Sequence, residues 1–405
     1  MEGPLSGIKV VDLSTFVAAP VCGRLLADMG ATVIKVERPE GDAWRQTGIR
    51  YNHTYYTQEK NPVFDIYNSG KEHIALNLKS PEGMQVMHQL LEEADVFITN
   101  TRPGALRRLG LSYEDLKDKY PSLIYGILLG YGEKGPDADK PAFDTSAFWS
   151  RSGFLRDMAP LTGEYQPVLP PFSAGDTGTG ILLMGQICAA LLRRAKTGKG
   201  DCVRAGLFHN GIFTFGTMAI IAQKDGGAKV YPTTRIDYGV PGGSYQCADG
   251  EWIYIATSYY EILVKQLCKA IGREDLMEDP RFDTMDHRTQ NKEAYYEIFR
   301  EAFLQKPCAY WLEKGAQLDI PIVRMNHFSE LATDEQAWVN GYLENVTFPD
   351  GSTGVMPSSP IDMESLGTVR TRPAPKVGAD TESILKRLGY SQEKIQQMKE
   401  TGAVK

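Results

Sequence analysis

The chain has 405 residues, with 44 Lys+Arg against 51 Asp+Glu, a formal net charge of −7 and 42% hydrophobic residues. That length suits two domains with a sizeable core, and the absence of a basic block argues against nucleic acid as a main partner. The six cysteines (Cys22, Cys188, Cys202, Cys247, Cys268, Cys308) form no CxxC and pair with no histidine at ligand spacing. They read as reduced thiols of a cytoplasmic protein, and no metal site is expected. The N-terminal MEGPLSGIKVVDLS is not a secretory leader, and the most apolar run, GILLMGQICAALL, is shorter than a membrane span.

In chain order, residues 8–14 (IKVVDLS) predict a strand and 18–30 a helix stopped at Gly30. TVIKVE (32–37) and HIALNL (73–78) predict strands. Residues 81–94 predict a helix with Ser80 as N-cap and Pro81 in its first turn. A strand at 95–100, a helix at 112–120 and a strand at 122–131 follow. Strand–helix–strand alternation with short links predicts an α/β fold, a parallel sheet covered by helices. A buried helix is expected at 181–196, then a strand end and helix over 203–223. From 231 the pattern becomes α+β, with a hairpin turn near Ala248-Asp249-Gly250, helices over 259–318 and a strand at 320–325. A further hairpin is expected at 344–357 and two helical segments at 373–402. The domain expectation is 1–223 for a large domain, 224–330 for a small one, and 331–405 returning to the large one.

Several chemistries lack their signature. Glu37 ends the second strand, where a dinucleotide fold places an acid, but the first turn, STFVAAPVCG, has no GxGxxG. Neither a phosphate loop nor a GxSxG elbow occurs. The six histidines (His53, His73, His88, His209, His287, His327) are scattered. Basic residues, however, recur at strand ends: Arg38, Lys79 and Arg102, with Arg108 just beyond. In a parallel sheet these ends face one crevice, so the set suits an anionic, phosphorylated ligand. Exposed strand ends are also commonly basic, which is the plainer reading of each alone. In PPFSAGDTGTGILL (170–183), Asp176 sits among Gly175, Gly178 and Gly180 just before a helix. A helix cap is one reading, and a covalent carboxylate nucleophile is the other. The glycines would give a bulky substrate room, and VPGGSYQ (240–246) offers a second set of exposed amides for an oxyanion or else a plain Gly-Gly turn.

Nearly the whole chain resembles the family III CoA-transferases, the group containing the formyl-CoA:oxalate and carnitine enzymes. The resemblance is carried by residues 7–42, ALNLKSPEG (75–83), residues 95–116, GYGEKGP (130–136), AGDTGTG (174–180), TGKGDCV (197–203) and RLGYS (387–391). It implies that Asp176 is the catalytic nucleophile, passing through an aspartyl anhydride and an aspartyl-CoA thioester. It implies CoA contacts at Val17, Arg38, Leu76, Lys79, Asn100, Thr101, Arg102, Arg108, Phe143 and Asp144, and a substrate or oxyanion loop at Gly242 and Gly243. It further implies a Rossmann-like large domain, a smaller α+β domain and an interlocked homodimer. CoA thioesters and carboxylic acids would be the substrates, with no tightly bound cofactor, metal, nucleic acid or membrane partner.

The sequence departs from the oxalate enzymes at Val17, where they carry Gln, and in its shorter glycine loop. Both changes imply a more apolar pocket, for which Phe16, Val17, Phe143, Phe148 and Trp149 are candidates. VAAPVCGRLLAD, GYGEKGPDADKPAFD, YQCADGEWI and DEQAWVNGYL resemble the subgroup acting on (R)-2-hydroxy acids such as 2-hydroxyisocaproate and phenyllactate. The alternatives are a CoA-transferase for an aryl, bile-acid, carnitine-type or dicarboxylic acid, a 2-methylacyl-CoA racemase-like enzyme, and a non-catalytic CoA-binding protein.

Overall fold

The computed structural model describes residues 3–46, 57, 60–158, 171, 173–223, 240–256 and 260–405. The expected onset of the small domain, 224–239, lies outside these residues. Contacts divide the chain into two units: 1–153, 170–216 and 334–405 form one, 154–169 and 217–333 the other.

The first unit is built on a six-stranded sheet with every neighbour parallel. Its strands are β1 (Lys9–Leu13), β2 (Thr32–Glu37), β3 (Glu72–Ala75), β4 (Val96–Thr99), β5 (Ile124–Leu129) and β6 (Asp201–Gly206), in the order β3-β2-β1-β4-β5-β6. β4 and β5 are buried at every position, because helices cover both faces and the strands are apolar on both. Its helices include α1 (Ala18–Asp28), α2 (Pro62–Asn68), α3 (Pro81–Glu93), α4 (Pro103–Leu109), α5 (Tyr113–Leu116), α6 (Ala174–Thr197), α7 (Leu207–Thr214), α8 (Thr381–Arg387) and α9 (Gln392–Glu400). α1 stops as expected, with Gly30 at φ +97° just beyond it. Ser80 caps α3 by accepting the Gly83 N–H at 3.0 Å.

Three local expectations shift. β3 ends at Ala75 instead of running to residue 78. Beyond it, Leu76 makes a single bridge to Val404, the Asn77 N–H goes to the Ala403 carbonyl, and Ser80 turns the chain into α3. α5 closes after one turn, short of residue 120. α6 begins at Ala174, seven residues before the apolar run, so it spans 24 residues. By length and composition that makes it the one helix among the described residues able to cross a membrane. Its Leu183, Ile187 and Ala190 are instead buried in one cluster with Ala19 and Leu26 of α1 and Ile98 and Ile124 of the sheet. Gly180 is required there, since a Cβ would come within 2.2 Å of the Ala18 carbonyl oxygen. α8 and α9 pack with α3 and the sheet in the second large cluster of this unit.

The second unit carries an antiparallel sheet, β7 (Gly243–Gln246), β8 (Trp252–Ile255) and β9 (Ile322–Arg324). The β7–β8 turn passes through Gly250 at φ +84°, as Ala248-Asp249-Gly250 predicts. Helices Tyr260–Ala270, Lys292–Phe303 and Cys308–Leu318 belong to it, and Tyr245, Ile253, Phe282, Phe299 and Trp311 form its core.

Candidate active site

The sheet order places the reversal of winding between β1 and β4, and ligands of such sheets bind at the carboxyl ends beside that point. A crevice of about 690 Å³ opens there. Thr15 and Phe16 after β1, the run 100–105 and Arg108 around α4, Gly130 after β5, and Phe143, Asp176 and Leu207 line it. The Thr15 N–H donates to Asn100 Oδ1 at 3.0 Å, and Asn100 Nδ2 donates to the Thr15 carbonyl at 2.8 Å. Asn100 thereby ties the β1 loop to the β4 loop across the floor. Phe16 sits at φ +65°, a conformation unfavourable for an aromatic residue, and its ring meets Phe143 edge-on with centroids 5.4 Å apart.

A buried charge network supports that loop. Asp12 and Lys35 face each other across β1 and β2. Lys35 Nζ donates to the Ser14 carbonyl at 2.8 Å and lies 3.1 Å from Asp42. Asp42 Oδ1 in turn accepts the Phe16 N–H at 3.2 Å. Lys71 Nζ donates to Asp12 at 2.9 Å, the Pro20 carbonyl at 2.9 Å and Asn68 at 3.0 Å. Burial alone would raise Asp12, but Lys71 and Lys35 outweigh it and hold the carboxyl below its ordinary value. Glu37 is not left free for a ribose. Arg45 and His73 bind it at 2.8 Å and, against its burial, hold it far below the carboxylate range.

Asp176 has a different setting. It is the third residue of α6 and not its cap. The N-cap position is Ser173, at φ +65° and without a side-chain cap. Capping comes from another element: Asp144, opening a π-helical turn (Asp144–Ser150), accepts the Asp176 N–H at 3.0 Å and the N–H groups of Ser173 and Gly175. Its other oxygen accepts the Trp149 indole N–H at 3.0 Å. Among the described residues no cation pairs with Asp176. Burial first, and the Asp144 carboxylate second, push Asp176 up to about 7. Burial also raises Asp144, with the Trp149 donor and the backbone amides partly offsetting it.

The glycines around Asp176 serve packing more than clearance for a substrate. A Cβ on Gly175 would lie 2.3 Å from Asp144 Oδ1 and 2.3 Å from the Phe148 ring. Gly178 alone is open, with Asn210 at 3.7 Å.

Of the residues marked from sequence, Asn100, Thr101, Arg102, Arg108, Phe143 and Asp176 meet in the crevice, and Asp144 stands directly behind Asp176. Arg38 and Lys79 are exposed beyond β2 and β3 and do not line it, so the single convergence of strand-end cations is reduced to Arg102 and Arg108. Leu76 is a core residue. Val17 is buried with Val21 and Leu25, and Phe148 and Trp149 pack on Phe215. Gly242 and Gly243 belong to the second unit, where Gly243 opens β7. Sequence reading missed the Asp144 cap and the Asp12–Lys35–Lys71 network. Charged residues inside strands buried on both faces were the available signal for the network.

A parallel sheet with a cation-bearing crevice at its switch point and, inside it, a helix-start carboxylate that no described cation pairs is an α/β arrangement suited to an anionic ligand. The chain belongs to the CoA-transferase family III, whose model matches residues 5–381. It is 39% identical over 402 residues to the (R)-2-hydroxy-4-methylpentanoate CoA-transferase of Clostridioides difficile, covering 99% of both chains. It is 35% identical to the cinnamoyl-CoA:phenyllactate CoA-transferase of Clostridium sporogenes, covering 97% of this chain and 95% of that one. Among solved structures, it resembles Rv3272 of M. tuberculosis (TM-score 0.81, 28% identity, 94% and 99% covered). A CAIB/BAIF family protein of Brucella suis is also similar (TM-score 0.79, 29% identity, 96% and 100% covered).

Proposed function

We propose that this CoA-transferase moves CoA from an acyl- or enoyl-CoA to a bulky (R)-2-hydroxy acid, with Asp176 as nucleophile. The observation that carries the reading is Asp176 itself: half-buried, unpaired by any described cation, and lining the crevice with Arg102 and Arg108. The two relatives' named acids, 2-hydroxy-4-methylpentanoate and phenyllactate, support the substrate class.

The carboxylate attacks the donor thioester carbonyl, and the C–S bond breaks to give an aspartyl–acyl anhydride and CoA thiolate. The thiolate then attacks the aspartyl carbonyl, releasing the donor acid and leaving an aspartyl-CoA thioester. The acceptor carboxylate displaces the thiolate to form a second anhydride. The thiolate attacks the acceptor's acyl carbon, giving the new thioester and regenerating Asp176. Arg102 and Arg108, in the crevice, bind the phosphates of CoA. Asp144 holds the first turn of α6 so that Asp176 keeps one position through all four steps.

The working form is a cytoplasmic homodimer. On the first unit, Leu182 and Leu192 of α6 and Ile212 and Phe213 of α7 are exposed apolar residues suited to a second copy. The unpaired cysteines suit a reducing compartment. The test is chemical trapping. Incubation with acyl-CoA and hydroxylamine, followed by peptide mass spectrometry, gives a hydroxamate at Asp176. Modification elsewhere, or none, removes Asp176 from the role.

A further inference from the structure

Asp176 lines the large crevice, while its neighbour Thr177, with Ile181 one turn on, lines a second and smaller cavity of about 250 Å³. Val21 and Leu25 of α1 and Ile66 and Tyr67 of α2 form its walls. The charged groups at its rim are already satisfied. Arg24 donates to Asp28 at 2.8 Å, to the Ile66 carbonyl at 3.2 Å and to Thr371 at 3.1 Å. Asp28 also accepts from Ser359 at 2.6 Å. The Tyr67 hydroxyl is held by Ser173 and Thr177, around the start of α6. The cavity therefore offers a ligand apolar surface and no free charge. It is too small and too apolar for a nucleotide, and it is the size of a branched or aryl side chain.

We infer that this cavity receives the hydrocarbon side chain of the acid that exchanges at Asp176, which makes Val21, Leu25, Ile66 and Ile181 specificity-determining residues. The inference rests on the reading of Asp176 above and replaces Phe148 and Trp149, which pack in the core, as the apolar pocket. Asp176 and Thr177 are consecutive in α6, so an acyl group bonded to Asp176 lies one residue along the helix from the cavity wall. Selectivity follows from shape, because a hydrocarbon pocket separates substrates by bulk with factors of tens per group.

The experiment measures exchange of labelled acid into its own thioester, with 4-methylpentanoyl-CoA and with propionyl-CoA. Ile181→Trp and Ile66→Phe narrow the cavity at positions that are not fully buried. Each is expected to lower kcat/KM for the branched pair at least 30-fold and to leave the propionyl pair within threefold, while Leu25→Ala favours bulkier aryl acids. Equal losses on both pairs, no change on either, or a wild type that exchanges only propionate overturns the inference. A shift in molecular mass by light scattering with unaltered selectivity also overturns it, assigning the cavity to a second copy. The same samples are trapped with hydroxylamine. If wild type is unlabelled at Asp176, the reading of the nucleophile fails. If it is labelled but selectivity does not move, only the cavity assignment fails.

Discussion

Two groups of carboxylates lie within one unit and are treated in opposite ways. Around β1 and β2, burial is matched by cations: Asp12 has Lys71 and Lys35, Glu37 has Arg45 and His73, and both acids are held below their ordinary range. At the start of α6, burial is not matched. Among the described residues no cation pairs with Asp176; the Asp144 carboxylate adds to its burial, and it rises to about 7. A like rise at Asp65 lies away from the crevice, so what sets Asp176 apart is the raised carboxyl together with its place in the crevice wall. The first group fixes a loop, and the second leaves a carboxyl whose charge is available to chemistry.

Asp176→Asn breaks the comparison most directly. It keeps the shape and removes the proposed nucleophile, so CoA exchange falls more than about 10³-fold with CoA binding retained, as stopped assays and calorimetry would read. Activity within tenfold of wild type would return Asp176 to the scaffold group. Lys71→Met leaves Asp12 buried without its closest cation. Urea unfolding should show a loss of about 3–5 kcal/mol, and adding Asp12→Asn should recover part of it.

The glycine pair refines the picture on the helix side. Gly175→Ala drives a Cβ into Asp144 and Phe148 and should cost about 1–3 kcal/mol. Gly178→Ala meets open space and should be neutral or stabilise by up to ~1 kcal/mol. Equal effects in denaturation would mean that the Asp144 cap does not constrain the turn.

The pH dependence is the finest test. With Asp176 raised to about 7, the neutral acid prevails below that pH, and kcat/KM should drop tenfold per unit on its acid limb. Stability runs the other way. Between the unfolded carboxyl value, about 4, and about 7, the native state holds one more proton than the unfolded state, so Asp176 lowers stability as pH rises through that window. Asp176→Asn should therefore melt about 5 °C above wild type at pH 8 and level with it near pH 4. Asp65, buried and also raised to about 7, keeps a residual slope of the same sign in the variant.

The parallel sheet was legible from strand and helix periodicity, with β2 placed to the residue. Asp176 was legible as a marked position through its glycine context, and as a nucleophile only through the family resemblance. Its surroundings were not legible, because Asp144 lies 32 residues away and its capping role depends on a tertiary approach that no local pattern encodes. Local reading gave the cap to Asp176 since Asp before a helix usually is one. α6 simply begins three residues earlier than that reading requires, and the apolar run concealed the polar first turn. Arg38 and Lys79 show the same limit: strand-end position is readable, but which ends share a crevice depends on the order of strands across the sheet.

The edge strand β3 has a further consequence. Its free side is closed by distant chain: His73 and Ala75 bond to Asp380 and Thr381, Leu76 bridges Val404, and Asn77 reaches Ala403. During synthesis, the first five strands and their helices emerge long before that cover exists. The second unit, made in between, must leave the ribosome while β3 still presents an open edge. Covering of the β3 edge thus waits on translation through residues 380–404. Slowing translation across 217–380 should lengthen the interval in which nascent chains aggregate.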